Sequence, residues 1–99
     1  MNFYFVYILK CADGSYYTGV TNNIEIRYRQ HQSGDGASSY TASRLPVTLV
    51  FSEQFNDIMQ AIALEKQIKG WSRKKKEAFI NENWEDLKEL SKNYTQYKR

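Results

Sequence analysis

Cysteine, proline and histidine each occur once in this 99-residue chain. A single cysteine, Cys11, excludes an internal disulfide and fits a reducing cytoplasm, where disulfides are rare. One histidine and one cysteine cannot build a zinc site. The five glycines include no phosphate-cradling loop of P-loop spacing ahead of a helix. No Ser/His/Asp arrangement stands out. The longest apolar run, Phe3 to Leu9, is too short to span a bilayer, so no membrane partner is expected. A basic leader and a small-residue cleavage site are both missing, so no secretory signal is expected. There is no repeat, low-complexity tract or dividing linker, and the length suits one domain.

What is present is enough for a small core: 41% hydrophobic and 15% aromatic residues. The net charge is +3, and its distribution matters more than its size. Lys66, Lys69, Arg73, Lys74, Lys75 and Lys76 place six of the fourteen basic residues within eleven positions that hold no acid. Such a cluster attracts polyanions, of which nucleic acid is the commonest. The plain alternative is a solvated helix end whose cations offset the C-terminal dipole. On charge alone the two readings stand level.

Aromatic and branched residues predict strands at Phe3–Leu9, Tyr16–Val20 and Val47–Phe51, the last extending to Gln54. Between the first two, Cys11 to Ser15 forms a hairpin connection. A two-residue Asp13-Gly14 turn would put Tyr7 and Tyr17 on opposite sheet faces. A three-residue Ala12-Asp13-Gly14 loop with a left-handed Gly14 would put them on one face. Both loops suit the sequence. Asn22, with Glu25 three residues on, predicts the cap of a helix over Ile24–Gln32. On that helix Arg27 and His31 are neighbours at i, i+4. Ser33 to Leu45 reads as a long polar loop ended by Pro46. Asp57 caps a helix that Gly70 stops. Ser72 caps another over Arg73–Ile80, and Asn83 caps an optional last one. The order β-β-α-β-α-α, with that optional helix, predicts a small α+β domain: a three-stranded, mainly antiparallel sheet flanked by helices. Residues 2–80 form its body and 81–99 a helical extension with a frayed tail.

Glu65 is the most informative residue. At about 100° per residue, Ile58, Ala61, Ile62, Leu64 and Ile68 form one apolar face, and Glu65 projects from near its middle. A buried carboxylate needs a cationic partner or a metal. The polar set Tyr7, Tyr17, Arg27, His31 and Glu65 holds the types a metal-assisted phosphodiester hydrolase needs. An acid holds the cation, a guanidinium neutralises phosphoryl oxygens, and a base takes the proton from water. Mg²⁺ commonly uses only one or two carboxylates. The plain alternatives are a buried Glu65–Arg27 ion pair, strand tyrosines that only pack, and a histidine satisfied in the core.

The ordered set Val6-Tyr7-Ile8, Tyr17-Thr18-Gly19, Arg27, His31 and Glu65 resembles the GIY-YIG nuclease superfamily, most closely its small stand-alone bacterial members. The resemblance covers roughly residues 3 to 80. It implies a divalent-metal-dependent endonuclease acting on DNA or RNA, in a superfamily that includes DNA-repair enzymes. A domain this small has little room for a separate sequence reader, so selection by structure is expected. It implies that Tyr7 and Tyr17 lie together at the scissile phosphate, with Tyr17 as base or water-orienting group. Arg27 would bind the phosphate, and His31 would serve as base or relay. Glu65 would carry a single Mg²⁺ or Mn²⁺ ion, and Gly19 would let the strand pass close to the site. It also favours the three-residue hairpin loop. The six clustered basic residues would hold backbone phosphates. Two motif positions depart from the family pattern: Phe5 stands for its Gly, and Thr18 for its Ile or Val. The Asn that many members carry beyond the metal Glu has no counterpart at the usual spacing, since Asn81 and Asn83 lie further on. The alternative function is a non-catalytic nucleic-acid-binding module of the same fold. A third is an interaction domain whose protein partner supplies the target.

Overall fold

The computed structural model describes residues 2–34 and 38–81. Its elements are β1 (Tyr4–Lys10), β2 (Tyr16–Thr21), α1 (Ile24–Ser33), α2 (Ser39–Ala42), β3 (Thr48–Phe55), α3 (Ile58–Lys69) and α4 (Arg73–Asn81). The strands form one sheet in the order β2-β1-β3, and both pairings are antiparallel. The fold is therefore the expected α+β domain. The helix expected from Asn83, and all but the first residue of the 81–99 extension, lie outside the described residues.

The hairpin takes the three-residue loop. Gly14 sits at φ +87°, where glycine alone is unstrained. Its N–H bonds the Cys11 carbonyl at 2.9 Å, and the Cys11 N–H bonds the Ser15 carbonyl at 2.8 Å. Asp13 secures the turn by accepting from the Ser15 backbone N–H at 3.0 Å and its hydroxyl at 2.6 Å. In the resulting register Leu9 faces Tyr17 and Tyr7 faces Gly19. Side chains alternate along a strand, so Tyr7 and Tyr17 share a face.

Each sheet face carries its own helices. Val6 and Ile8 pack against Ala61, Leu64 and Ile68 of α3 and Phe79 of α4. On the other face Tyr7, Leu9, Cys11 and Val47 pack against Ile24 and Tyr28 of α1. Burying each such aliphatic side chain contributes about 1.5–3 kcal/mol relative to exposure.

Two local expectations are corrected. Asn23, not Asn22, caps α1, its side chain accepting from the Ile26 N–H at 3.0 Å. The long polar loop also contains a helical turn, α2, whose cap Ser38 accepts from the Tyr40 N–H at 3.1 Å. Asp57 and Ser72 cap α3 and α4 as expected, accepting from Met59 and Lys75 N–H groups. No helix among the described residues is long and apolar enough to cross a membrane.

Candidate active site

The site forms where β1, β2, α1 and α2 meet. Tyr7 is 2% exposed, and its ring lies across Gly19 on the neighbouring strand. A Cβ on Gly19 would fall 2.6 Å from the Tyr7 hydroxyl and 2.7 Å from Cζ. Gly19 is thus required for space, since its backbone is not left-handed. The Tyr7 hydroxyl reaches His31 Nε2 at 2.9 Å. His31 is fully buried, and its Nδ1 lies 2.8 Å from Thr41 Oγ1 on α2. Thr41 Oγ1 also donates to the Ser38 carbonyl at 3.2 Å. The Tyr17 ring closes the cluster, 5.2 Å from the His31 ring and 6.3 Å from that of Tyr7.

Arg27 lies one turn before His31 on α1 and is half-buried. Burial first, then the Arg27 guanidinium, pushes His31 below its ordinary pKa of 6.5, so the imidazole is neutral at pH 7. Burial raises the Tyr7 phenol well above its ordinary 10.0, and the neighbouring Tyr17 adds to this. Arg27 opposes the rise and Glu65 reinforces it.

Glu65 comes from the other layer. α3 packs on the Val6 and Ile8 face and lies along β1 and the edge strand β2. The Glu65 charge is felt at Tyr7, but its ion-pair partner is Lys69, at 2.7 Å, rather than Arg27. Its side chain is 16% exposed, so it sits at the margin of the buried Ala61–Leu64–Ile68 stripe rather than in its middle. The structure therefore brings Tyr7, Tyr17, His31 and Gly19 into contact. Arg27 and Glu65 join them through charge.

The donor set limits what metal could bind. No group of three or more His, Cys, Asp or Glu side chains among the described residues could enclose one. A single carboxylate at the edge of a buried stripe fits a hard, hydrated cation that completes its shell from water and phosphate.

Sequence reasoning missed Thr41 and the α2 turn. Tyr40, on the sequence a packing or surface residue that could also stack a base from the long loop, sits in that turn. Its ring lies 6.2 Å from Tyr17, with the Arg44 guanidinium 3.9 Å above it. Arg44 in turn bonds Asp13 at 3.0 Å and the Tyr40 carbonyl at 2.9 Å. The basic cluster divides. Lys69 pairs with Glu65 and Arg73 with Glu77, while Lys75 lies over Trp71. Lys66 and Lys74 are exposed and Lys76 is half-exposed.

The family model for the GIY-YIG catalytic domain matches residues 3–78. This chain belongs to the GIY-YIG family. It is a family of nuclease type, whose domain implies nucleic-acid binding and whose nucleases typically use a divalent metal ion. Among its relatives is a UPF0213 protein of Bacillus pumilus, 48% identical over 82% of this chain and 81% of that one. A UPF0213 protein of the archaeon Halobacterium salinarum is 45% identical over 76% of this chain and 96% of its own length. The small stand-alone GIY-YIG subgroup therefore extends beyond bacteria. The solution NMR structure of a UPF0213 protein from Bacillus halodurans aligns with a TM-score of 0.54 at 40% identity, covering 82% of this chain and 85% of that one. An NMR structure from E. faecalis aligns at 0.56 and 34% identity, covering 81% and 84%.

Proposed function

We propose that this GIY-YIG protein is a divalent-metal-dependent endonuclease that hydrolyses a phosphodiester in DNA or RNA and selects substrates by structure. The observation that carries this reading is the buried Tyr7–His31 hydrogen bond beside Tyr17, within reach of the Arg27 charge. That arrangement offers a neutral proton acceptor next to a fixed cation, as phosphodiester hydrolysis requires.

In this mechanism Arg27 binds the scissile phosphate and offsets charge growing on its non-bridging oxygens. The Tyr17 hydroxyl orients the attacking water in line with the leaving oxygen. As the new P–O bond forms, the water proton passes to the Tyr7 oxygen while the Tyr7 proton moves to His31 Nε2. The leaving alkoxide takes a proton from solvent. Glu65 would hold a single Mg²⁺ or Mn²⁺ ion through its carboxylate, and the ion when bound supplies Lewis-acid polarisation of the phosphoryl group. Lys69 must then release Glu65. Lys66, Lys69, Arg73, Lys74, Lys75 and Lys76 hold backbone phosphates, which fixes register but reads no bases.

The 2.7 Å Glu65–Lys69 pair is the observation that favours the second reading, a nucleic-acid-binding module without catalysis. The deciding experiment uses labelled single-stranded, duplex, branched and RNA substrates with Mg²⁺, Mn²⁺ or EDTA, beside Glu65→Ala. Metal-dependent cleavage, reduced at least about a hundredfold in Glu65→Ala, is the expected result. Salt-sensitive binding with no cleavage of any substrate would overturn the nuclease reading in favour of the binding module.

A further inference from the structure

We infer that Thr41 is a positioning residue that receives the Nδ1 proton of His31 and anchors the imidazole with its Nε2 lone pair facing Tyr7. The argument is a count of protons. Tyr7, His31 and Thr41 form one buried chain through contacts of 2.9 and 2.8 Å. A neutral imidazole has one donor and one acceptor nitrogen. In one direction every proton finds an acceptor: Tyr7 O–H to Nε2, Nδ1–H to Thr41 Oγ1, and Thr41 O–H to the Ser38 carbonyl at 3.2 Å. That carbonyl also receives the Ala42 N–H at 3.0 Å, which uses its two lone pairs. In the reverse direction Nε2–H would donate to the Tyr7 oxygen. The phenolic proton of a residue only 2% exposed would then have no acceptor among the described residues. Leaving a buried donor unpaired disfavours that tautomer by about fivefold or more, enough to fix it.

The α2 segment is itself fastened, so Thr41 is not free to move away. Arg44 ties it to the β1–β2 hairpin through Asp13 at 3.0 Å and through its carbonyl to the Ala12 N–H at 2.9 Å. The hairpin loop and α2 thus act as a bracket behind His31. The consequence for cleavage rests on the nuclease reading, whereas the tautomer does not.

The test exploits the single histidine of the chain. Long-range ¹H–¹⁵N correlation on ¹⁵N-histidine-labelled protein, with any affinity tag removed, reports each ring nitrogen of His31 directly. Wild-type protein at neutral pH is expected to show protonated Nδ1 and unprotonated Nε2. Thr41→Val, which keeps the shape but not the hydroxyl, leaves Tyr7 to hold the tautomer and is expected to shift the Nδ1–H resonance and speed its exchange with solvent, and Thr41→Ser to restore the wild-type pattern. In a cleavage assay Thr41→Val should lower kcat between about tenfold and a hundredfold with KM little changed, and Thr41→Ser should recover most of it. A wild-type spectrum with protonated Nε2 would overturn the inference without any variant, even should Thr41→Val fail to fold. So would an unchanged Nδ1–H resonance and exchange rate in folded Thr41→Val. Absent cleavage in wild type with the expected tautomer would instead fault the nuclease reading and leave the positioning role intact.

Discussion

Two residues at the site define it by what they cannot accommodate. Gly19 is one. Replacing it with Ala drives a methyl into the Tyr7 ring, 2.6 Å from the hydroxyl and 2.7 Å from Cζ. The ring cannot yield cheaply, because it is buried and bonded to His31. Gly19→Ala should cost about 1–3 kcal/mol, the usual penalty for overpacking, read as a lower urea midpoint, and should abolish metal-dependent cleavage. Gly70→Ala is the control: its added methyl meets nothing nearer than 3.6 Å, so stability and cleavage should both hold. His31 is the other. Burial, then Arg27, depresses its pKa below 6.5, so the unfolded chain binds the proton more readily than the fold does. The stability this provides is present above about pH 6.5. It is lost as pH falls from there through the lower folded value. Urea midpoints measured at about pH 7.5 and about pH 5 should therefore fall more in wild type than in His31→Gln. An equal fall in both would mean that His31 protonates in the fold as easily as in the unfolded chain.

At the scale of elements, aromatic and branched residues made the three strands legible, and caps with helical spacing made three of the helices so, because each helix buries one face against the sheet. The Tyr7–Tyr17 alignment was open on the residues alone, since both hairpin loops suited Asp13-Gly14. The Cys11–Ser15 pairing and the Leu9–Tyr17 register decide it. The α1 cap was misassigned by one residue because Asn22 and Asn23 offer the same chemistry. Only the bond from Ile26 selects Asn23. The α2 turn was invisible for a different reason. Four residues, Ser39–Ala42, are too few to show a helical period, and isolated helices so short are unstable in water. Its order comes from long-range partners, His31 at one point and Asp13 at another, which no local pattern encodes. Thr41 was missed with it. Glu65 stood out as a carboxylate on an apolar helix, but it lies at the margin of the buried stripe, and its ion-pair partner follows from the i, i+4 rule rather than from the fold.

At the scale of the molecule, the placement of the basic cluster bears on a question that charge counting left level. Lys66 and Lys69 sit in the last turn of α3, where cations suit the helix dipole. Arg73, Lys74, Lys75 and Lys76 sit at the start of α4, whose first turn holds no acid. Positive charge there opposes the dipole, a local cost of about 0.3–1 kcal/mol per charge. The helix dipole therefore does not explain these four residues; Arg73 has Glu77 and Lys75 has Trp71 as partners, and the proposed function gives the cluster a polyanion to meet. Their contributions should differ. Arg73 pairs with Glu77 at 3.4 Å and packs over Gly14 of the hairpin, so Arg73→Gln should lower the unfolding midpoint as well as affinity. Lys66 and Lys74 are exposed and Lys76 is half-exposed, and replacing all three with Gln should leave stability within about 0.5 kcal/mol. If each meets one phosphate of a duplex, the slope of log Kd against log salt should drop by about 0.9 per residue removed. Fluorescence anisotropy across a salt series measures that slope. An unchanged slope in the triple variant, with duplex still bound, would move the phosphate contacts elsewhere and leave the charge at the start of α4 without a ligand.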